Sequence, residues 1–129
     1  MDGRPRILVV DDDAAITATF ESILVGEGYD VRTASDGGEA IGLARRERFD
    51  VVLLDLVMPG IDGLAALRQL REVAPEARII ILSAYIEPDR EAEAFRLGAE
   101  AVLSKPPDLT KLLRYLGELA RPDEPDLTA

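Results

Sequence analysis

The chain has 129 residues, of which 47% are hydrophobic and 31% charged, so it is the size of one ordinary globular domain with enough apolar residues for a core. Its formal net charge of −10 argues against direct binding to nucleic acid, and no apolar run approaches the roughly 20 residues that span a membrane. The chain has no cysteine and no histidine, which excludes a disulfide framework, a thiolate metal site and any chemistry based on its own imidazole.

Short apolar runs alternate with longer segments of helical period, which is the pattern of βαβ units. The runs predicted to be strands are residues 6–10, 30–34, 51–54, 78–82 and 101–104. The predicted helices cover about residues 13–26, 38–46, the segment between the turn at 58–60 and Pro75, about 88–98, and the segment from about 108 onward. In the last helix one apolar stripe contains Leu109, Leu112, Leu113, Leu116, Leu119 and Ala120.

The sequence also predicts the residues that cap the helices and the extent of the domain. Asp13 and Asp36 are predicted N-caps, because their carboxylates can accept bonds from unpaired first-turn amides, and Gly98 is a predicted C-cap. We expect one domain over residues 1–121, followed by a flexible tail or linker start at 122–129, which has two prolines, three acids and little to bury. The N-terminus has no signal-peptide profile, so a cytoplasmic location is the default expectation.

Five strands alternating with five helices predict an α/β fold, a doubly wound (βα)5 domain with helices on both faces of a parallel sheet. Strands one, three and four are apolar throughout, as strands buried on both faces are. Strand two is more polar and belongs at an edge. The flavodoxin-like strand order 2-1-3-4-5 fits that placement.

Polar residues stand where four of the apolar runs end. Asp11 and Asp12 follow strand one, Asp55 follows strand three, Ser83 follows strand four and Lys105 follows strand five. Open α/β sheets bind their ligands at the carboxyl ends of parallel strands, so these groups are expected in one crevice. The set suggests a site for a hard cation and a phosphoryl group.

Three carboxylates in one crevice repel one another unless a cation compensates them. Mg²⁺ suits such a site because it prefers oxygen ligands, and Mn²⁺ could substitute. We expect Asp12 and Asp55 as direct ligands, Asp11 through a water, and the backbone carbonyl of Val57 as a further ligand. Asp55 stands alone between a hydrophobic strand and a turn, so we assign it as the nucleophile for a phosphoryl group. Lys105 would supply a positive charge to that group, and Ser83 a hydroxyl donor.

Four motifs in this order resemble the receiver domain of two-component response regulators, over about residues 6–121. They are Asp11-Asp12 after an apolar strand, the segment VLLDLVMPGIDG at 52–63, Ser83-Ala84, and Lys105-Pro106. The resemblance implies the flavodoxin-like fold and a signalling switch, not an enzyme with a separate substrate.

In this family the phosphoryl group comes from a histidine of a sensor kinase or phosphotransfer protein, which agrees with the lack of histidine here. The resemblance implies that Asp55 is the acceptor and that Asp11 and Asp12 bind magnesium. Ser83 and Ala84 would follow the phosphoryl group and Lys105 would pair with it. The charge added on phosphorylation would alter the face made of helix four, strand five and helix five, which also allows a homodimer. A cis Lys105–Pro106 peptide bond is a further expectation.

The chain departs from the family pattern at four positions. Val102 replaces an aromatic residue of strand five, and Pro107 replaces the aromatic that commonly follows Lys-Pro. Val57 and Tyr85 stand where residues that tune hydrolysis of the acyl phosphate usually lie, and neither is an acid or amide well suited to orienting an attacking water. We therefore expect slow autodephosphorylation.

Two other functions remain open at this point. A hydrolase of the haloacid-dehalogenase kind also uses an aspartyl nucleophile and magnesium, but Val57 stands where that family typically has a second acid. A degenerate receiver that only binds a partner is favoured by Val102 and Pro107, and opposed by the intact acids, hydroxyl and lysine.

Overall fold

The computed structural model describes residues 3–58 and 60–119 and contains one five-stranded parallel sheet of order β2-β1-β3-β4-β5. The strands are β1 Arg6–Val10, β2 Asp30–Ala34, β3 Val51–Leu54, β4 Arg78–Ser83 and β5 Ala101–Ser104. The predicted order and the edge position of β2 are confirmed. Strand β4 is one residue longer than predicted, because Ser83 still pairs with Ser104 of β5.

Five helices connect and follow the strands in the described part of the chain. They are α1 Ala14–Gly26, α2 Gly37–Arg46, α3 Gly63–Val73, α4 Pro88–Arg96 and α5 Leu109–Leu119. Pro59, Ala120 and the predicted tail at 122–129 lie outside the described residues. None of the helices in the described ranges combines the length and apolar composition needed to cross a membrane.

The central strands β1, β3 and β4 are buried on both faces of the sheet. Successive residues of a strand point to opposite faces, so each strand contributes to two clusters. In β1, Leu8 and Val10 belong to a core cluster that also contains buried residues of α2, α3 and α4, whereas Ile7 and Val9 belong to a second cluster with α1 and α5. The continuous apolar runs of β1, β3 and β4 are explained by this double burial.

The predicted N-caps Asp13 and Asp36 are confirmed, whereas the C-cap of α4 is Leu97 and Gly98 lies one residue beyond the predicted place. Asp13 accepts hydrogen bonds from the amides of Ala15 and Ile16, and Asp36 accepts one from the amide of Glu39. Gly98 follows α4 with a φ of +107°, the left-handed conformation in which glycine commonly ends a helix.

The apolar stripe predicted for α5 is only partly buried. Leu112 and Leu116 are buried in the cluster with α1, but Leu109 at the start of the helix is 41% exposed. The stripe therefore contributes to the core from its second turn onward.

Candidate functional site

The carboxyl ends of β1, β3, β4 and β5 bring the predicted side chains to one edge of the sheet. Val10 pairs with Leu54, so Asp11 and Asp55 follow adjacent positions of neighbouring strands. Backbone hydrogen bonds continue one residue past the strands, from the Asp55 amide to Val10 (3.0 Å) and from the Lys105 amide to Ser83 (2.9 Å). These bonds fix the backbone positions of Asp55 and Lys105, from which their side chains extend.

Three carboxylates form the acidic part of the site. Each of Asp11, Asp12 and Asp55 offers one oxygen, and these oxygens all lie within 4.8 Å of one another. Asp11 and Asp55 are buried, with 4% and 7% of their surface exposed, whereas Asp12 is exposed. A cluster of buried and exposed carboxylates at this spacing can chelate a hard divalent cation.

Lys105 bridges the two buried carboxylates. Its ammonium group donates to Oδ2 of Asp11 and, at 3.0 Å, to Oδ2 of Asp55. Burial opposes the charge of Lys105 and alone would lower its pKa, but the hydrogen bonds and negative charges of Asp11 and Asp55 outweigh burial and raise the pKa above the usual value. Sequence reasoning placed Lys105 beside a phosphoryl group but missed its direct contact with Asp11.

Hydrogen bonds from two backbone amides and one hydroxyl orient the two buried carboxylates. Oδ1 of Asp55 accepts from the amide of Val57 (2.9 Å) and from the Ser83 hydroxyl (3.3 Å), while Oδ1 of Asp11 accepts from the amide of Asp13 (2.9 Å). Asp55 therefore contacts both the predicted hydroxyl and the predicted amine. The bonds to the Val57 and Asp13 amides, which were not predicted from the sequence, are Asx turns in which each aspartate accepts from the amide two residues on.

The residues that follow Asp55 and Ser83 in the chain are exposed and largely apolar. Val57 is 68% exposed and Tyr85 is 71% exposed, and Ala84 is also exposed between Ser83 and Tyr85. Carboxylate or amide side chains that could orient a water are absent from positions 57 and 85.

The other two departures from the family pattern, Val102 and Pro107, lie in β5 and just after it. Val102 is half-buried against the core cluster that includes residues of α2, α3 and α4. Pro107 lines a cavity of about 400 Å³ together with Leu103 and Tyr115. The Lys105–Pro106 peptide bond is cis, the isomer that the resemblance implies.

The site joins an oriented carboxylate, a clustered set of oxygen donors, a hydroxyl and a partly buried ammonium group. Such a set can bind a hard cation and a phosphoryl group side by side. A flavodoxin-like (βα)5 sheet with this set at its carboxyl edge defines a protein of the receiver class.

The particular family follows from a match over nearly the whole chain. Residues 7–117 match the model of the response regulator receiver domain family, so the chain belongs to that family and is a receiver domain of a two-component response regulator.

Known proteins support the same assignment. Response regulator MprA of Mycolicibacterium vanbaalenii is 40% identical over 121 residues, which cover 94% of this chain and 52% of the relative, so the chain spans about half the length of that curated relative. A CheY-like receiver domain from Methanospirillum hungatei aligns with a TM-score of 0.88 and 31% identity over 91% of this chain and 94% of its own. A response regulator from Burkholderia pseudomallei, with a phosphorylated aspartic acid, calcium ion and citrate, has a TM-score of 0.83 and 32% identity over 90% of this chain and 68% of its own.

Proposed function

We propose that this domain is a phosphorylation-dependent switch in which Asp55 accepts a phosphoryl group from a histidine of a sensor kinase or phosphotransfer protein. The observation that carries the proposal is the environment of Asp55. This buried carboxylate is oriented by Ser83 and the Val57 amide, and it contacts the ammonium group of Lys105. The domain would act in the cytoplasm and would turn over no separate substrate.

The residues present fit a magnesium ion. All the clustered donors are oxygens, two of the three carboxylates are buried, and their spacing allows one ion to contact more than one of them. Asp11, Asp12, Asp55 and the backbone carbonyl of Val57 would hold the ion, and Mn²⁺ could substitute. The calcium ion and phosphorylated aspartic acid of the Burkholderia relative support this choice. The bound ion would supply positive charge opposite the transferred group.

In the transfer, a carboxylate oxygen of Asp55 forms a bond to phosphorus while the phosphorus–nitrogen bond of the donor phosphohistidine breaks. The electron pair of the breaking bond returns to the partner's imidazole, which agrees with the absence of histidine from this chain. Lys105 already lies 3.0 Å from Asp55 and would neutralise charge on the transferred oxygens. In this phosphoryl transfer the chain therefore contributes the nucleophile, its positioning and the neutralisation of charge.

The switch would begin with Ser83 and the segment that follows it. The Ser83 hydroxyl bonds Asp55 at 3.3 Å, a long distance for a hydroxyl donor, so a phosphoryl oxygen offers it a better acceptor. Movement of Ser83 and Ala84 would then alter the face of α4, β5 and α5. That face would contact an effector segment, a partner or a second copy.

We also propose that the phosphoryl group is lost slowly by hydrolysis. Val57 and Tyr85, each two residues beyond Asp55 or Ser83, are exposed, and neither carries a carboxylate or amide suited to orienting an attacking water. Loss of the phosphorylated species should be followed in the wild type, Val57→Ala and Tyr85→Ala. Much faster loss in the variants would support shielding of the site, and unchanged rates would count against it.

The proposed function is tested by incubating the protein with acetyl phosphate and Mg²⁺ and measuring its intact mass. We expect one phosphoryl adduct, which is absent from Asp55→Asn and from wild type treated with a chelator. An unmodified wild type would contradict the proposal and favour a degenerate receiver that only binds a partner.

A further inference from the structure

The first residue of α3, Gly63, lies against the backbone that follows Asp55. A Cβ atom built on Gly63 would lie 2.4 Å from the carbonyl oxygen of Leu56, 2.5 Å from its Cα and 2.8 Å from its carbonyl carbon. Distances this short do not occur between Cβ and backbone atoms in proteins. Any side chain at position 63 must therefore displace the Leu56 peptide or the start of α3.

The close approach to the Leu56 backbone, rather than the backbone conformation of residue 63, explains why this residue is a glycine. Gly63 is helical and does not have a positive φ, so an alanine would suit the helix, and alanine is the better helix former. The Leu56 side chain is buried with 4% exposure in the core cluster, which opposes displacement of its backbone.

The peptide that Gly63 contacts belongs to the loop that orients Asp55. The Leu56 carbonyl and the Val57 amide form one peptide unit, that amide donates to Oδ1 of Asp55 at 2.9 Å, and the carbonyl of Val57 is one of the proposed magnesium ligands. A displacement at Leu56 would change the geometry of both groups. We infer that Gly63 is a positioning residue, whose missing side chain lets α3 set the loop 55–57 for the cation and the phosphoryl group; this inference rests on the proposed function.

The chain offers two matched glycine controls. A Cβ atom at Gly37 would lie 2.4 Å from Cγ2 of Ile61 and 3.0 Å from Cβ of Ala66, so it would crowd side chains near the loop without contacting its backbone. A Cβ atom at Gly42, within α2, would meet only a guanidinium nitrogen of Arg46 at 3.8 Å, an ordinary contact. Gly37→Ala therefore controls for crowding, and Gly42→Ala for the substitution itself.

The test measures the dissociation constant for Mg²⁺ by calorimetric titration, with urea unfolding of the same samples. We expect Gly63→Ala to bind Mg²⁺ about 10-fold more weakly, as is typical when a group that orients a metal ligand is changed. Gly37→Ala and Gly42→Ala should bind Mg²⁺ like the wild type, even where Gly37→Ala loses stability. Wild-type affinity in Gly63→Ala, or an equal loss of affinity in Gly37→Ala, would overturn the inference.

A second measurement needs no variant, in case Gly63→Ala does not fold. In NMR spectra of the wild type, titration with Mg²⁺ should shift the amides of Leu56, Val57 and Gly63 with one common dissociation constant, while the Gly42 amide stays in place. If the amide resonance of Val57 shifts and that of Gly63 does not, the positioning role of Gly63 would be overturned while the proposed function would stand. A wild type that binds no Mg²⁺ would contradict the proposed function as well.

Discussion

Replacing Lys105 by methionine should make the stability of this domain depend on divalent cations. The substitution keeps an unbranched apolar chain but removes the ammonium group that bridges Asp11 and Asp55. In the variant, two buried carboxylates and the neighbouring Asp12 would face one another without a compensating charge. A bound Mg²⁺ ion would restore that charge.

The loss of stability expected for Lys105→Met follows from the distance between Lys105 and Asp55 and from the burial of these side chains. At the 3.0 Å between Lys105 and Asp55, two unit charges attract by about 5.5 kcal/mol at an effective dielectric constant of about 20. Desolvation of the three ions offsets much of this attraction. Removing one partner of a fully buried pair costs about 3–5 kcal/mol, and since the Lys105 side chain is 16% exposed, we expect a loss of about 2–3 kcal/mol.

The assay is urea unfolding of wild type and Lys105→Met, each in chelator and in saturating Mg²⁺. Lys111→Met is the control, because Lys111 is exposed on α5 and its removal should change the free energy of unfolding by less than about 0.5 kcal/mol. Mg²⁺ should restore most of the stability that Lys105→Met loses. The reasoning is refuted if Lys105→Met is as stable as wild type in chelator, or if Mg²⁺ leaves the difference unchanged.

Three further predictions concern other charged groups. Asp12→Asn should stabilise the metal-free protein by about 1 kcal/mol, because it removes repulsion among clustered carboxylates, and should weaken Mg²⁺ binding; thermal unfolding and Mg²⁺ titration check both effects. Hydrogen bonding to Arg6 is the main cause that lowers the pKa of Glu47, so the stabilisation from this pair is present above the usual carboxyl pKa and lost as the pH falls through the lowered value. Glu47→Gln should therefore cost about 0.5 kcal/mol at pH 7 and nothing in strong acid, and a constant difference across a pH series of urea unfolding would contradict this. Arg71→Ala should cost about 2–3 kcal/mol in urea unfolding, because the guanidinium donates to four backbone carbonyls around the ends of α3 and α4, and an unchanged midpoint would count against it.

The strands were predictable because their signals are local, whereas their order came from the polarity of strand two together with the resemblance to receiver domains. The apolar run at 51–54 is long enough for a buried strand and too short for a helix, and Asp55 ends it abruptly. Parallel strands place such ends on one edge, so the acids, Ser83 and Lys105 could be grouped from the sequence alone. The predicted boundaries differ from the observed ones by one or two residues, as at Ser83, whose pairing depends on a neighbouring strand.

Three features of the site and of α5 could not be predicted, because they depend on tertiary packing that no local sequence pattern encodes. The bridge from Lys105 to Asp11 joins β5 to β1, two strands that are not neighbours in the sheet. Gly63 ends the segment 52–63 that resembles receiver domains, whereas its contact with Leu56 exists only after α3 packs on the sheet. Leu109 fits the apolar period of α5 but lies too near the start of the helix to be covered.

The location of the phosphoryl group tests the central claim most directly. After treatment with acetyl phosphate and Mg²⁺, reduction with borohydride converts an aspartyl phosphate to homoserine, which peptide mass spectrometry can assign to one position. We predict homoserine at position 55 alone. Homoserine at position 11 or 12, or a phosphorylated chain with an intact Asp55, would contradict the account.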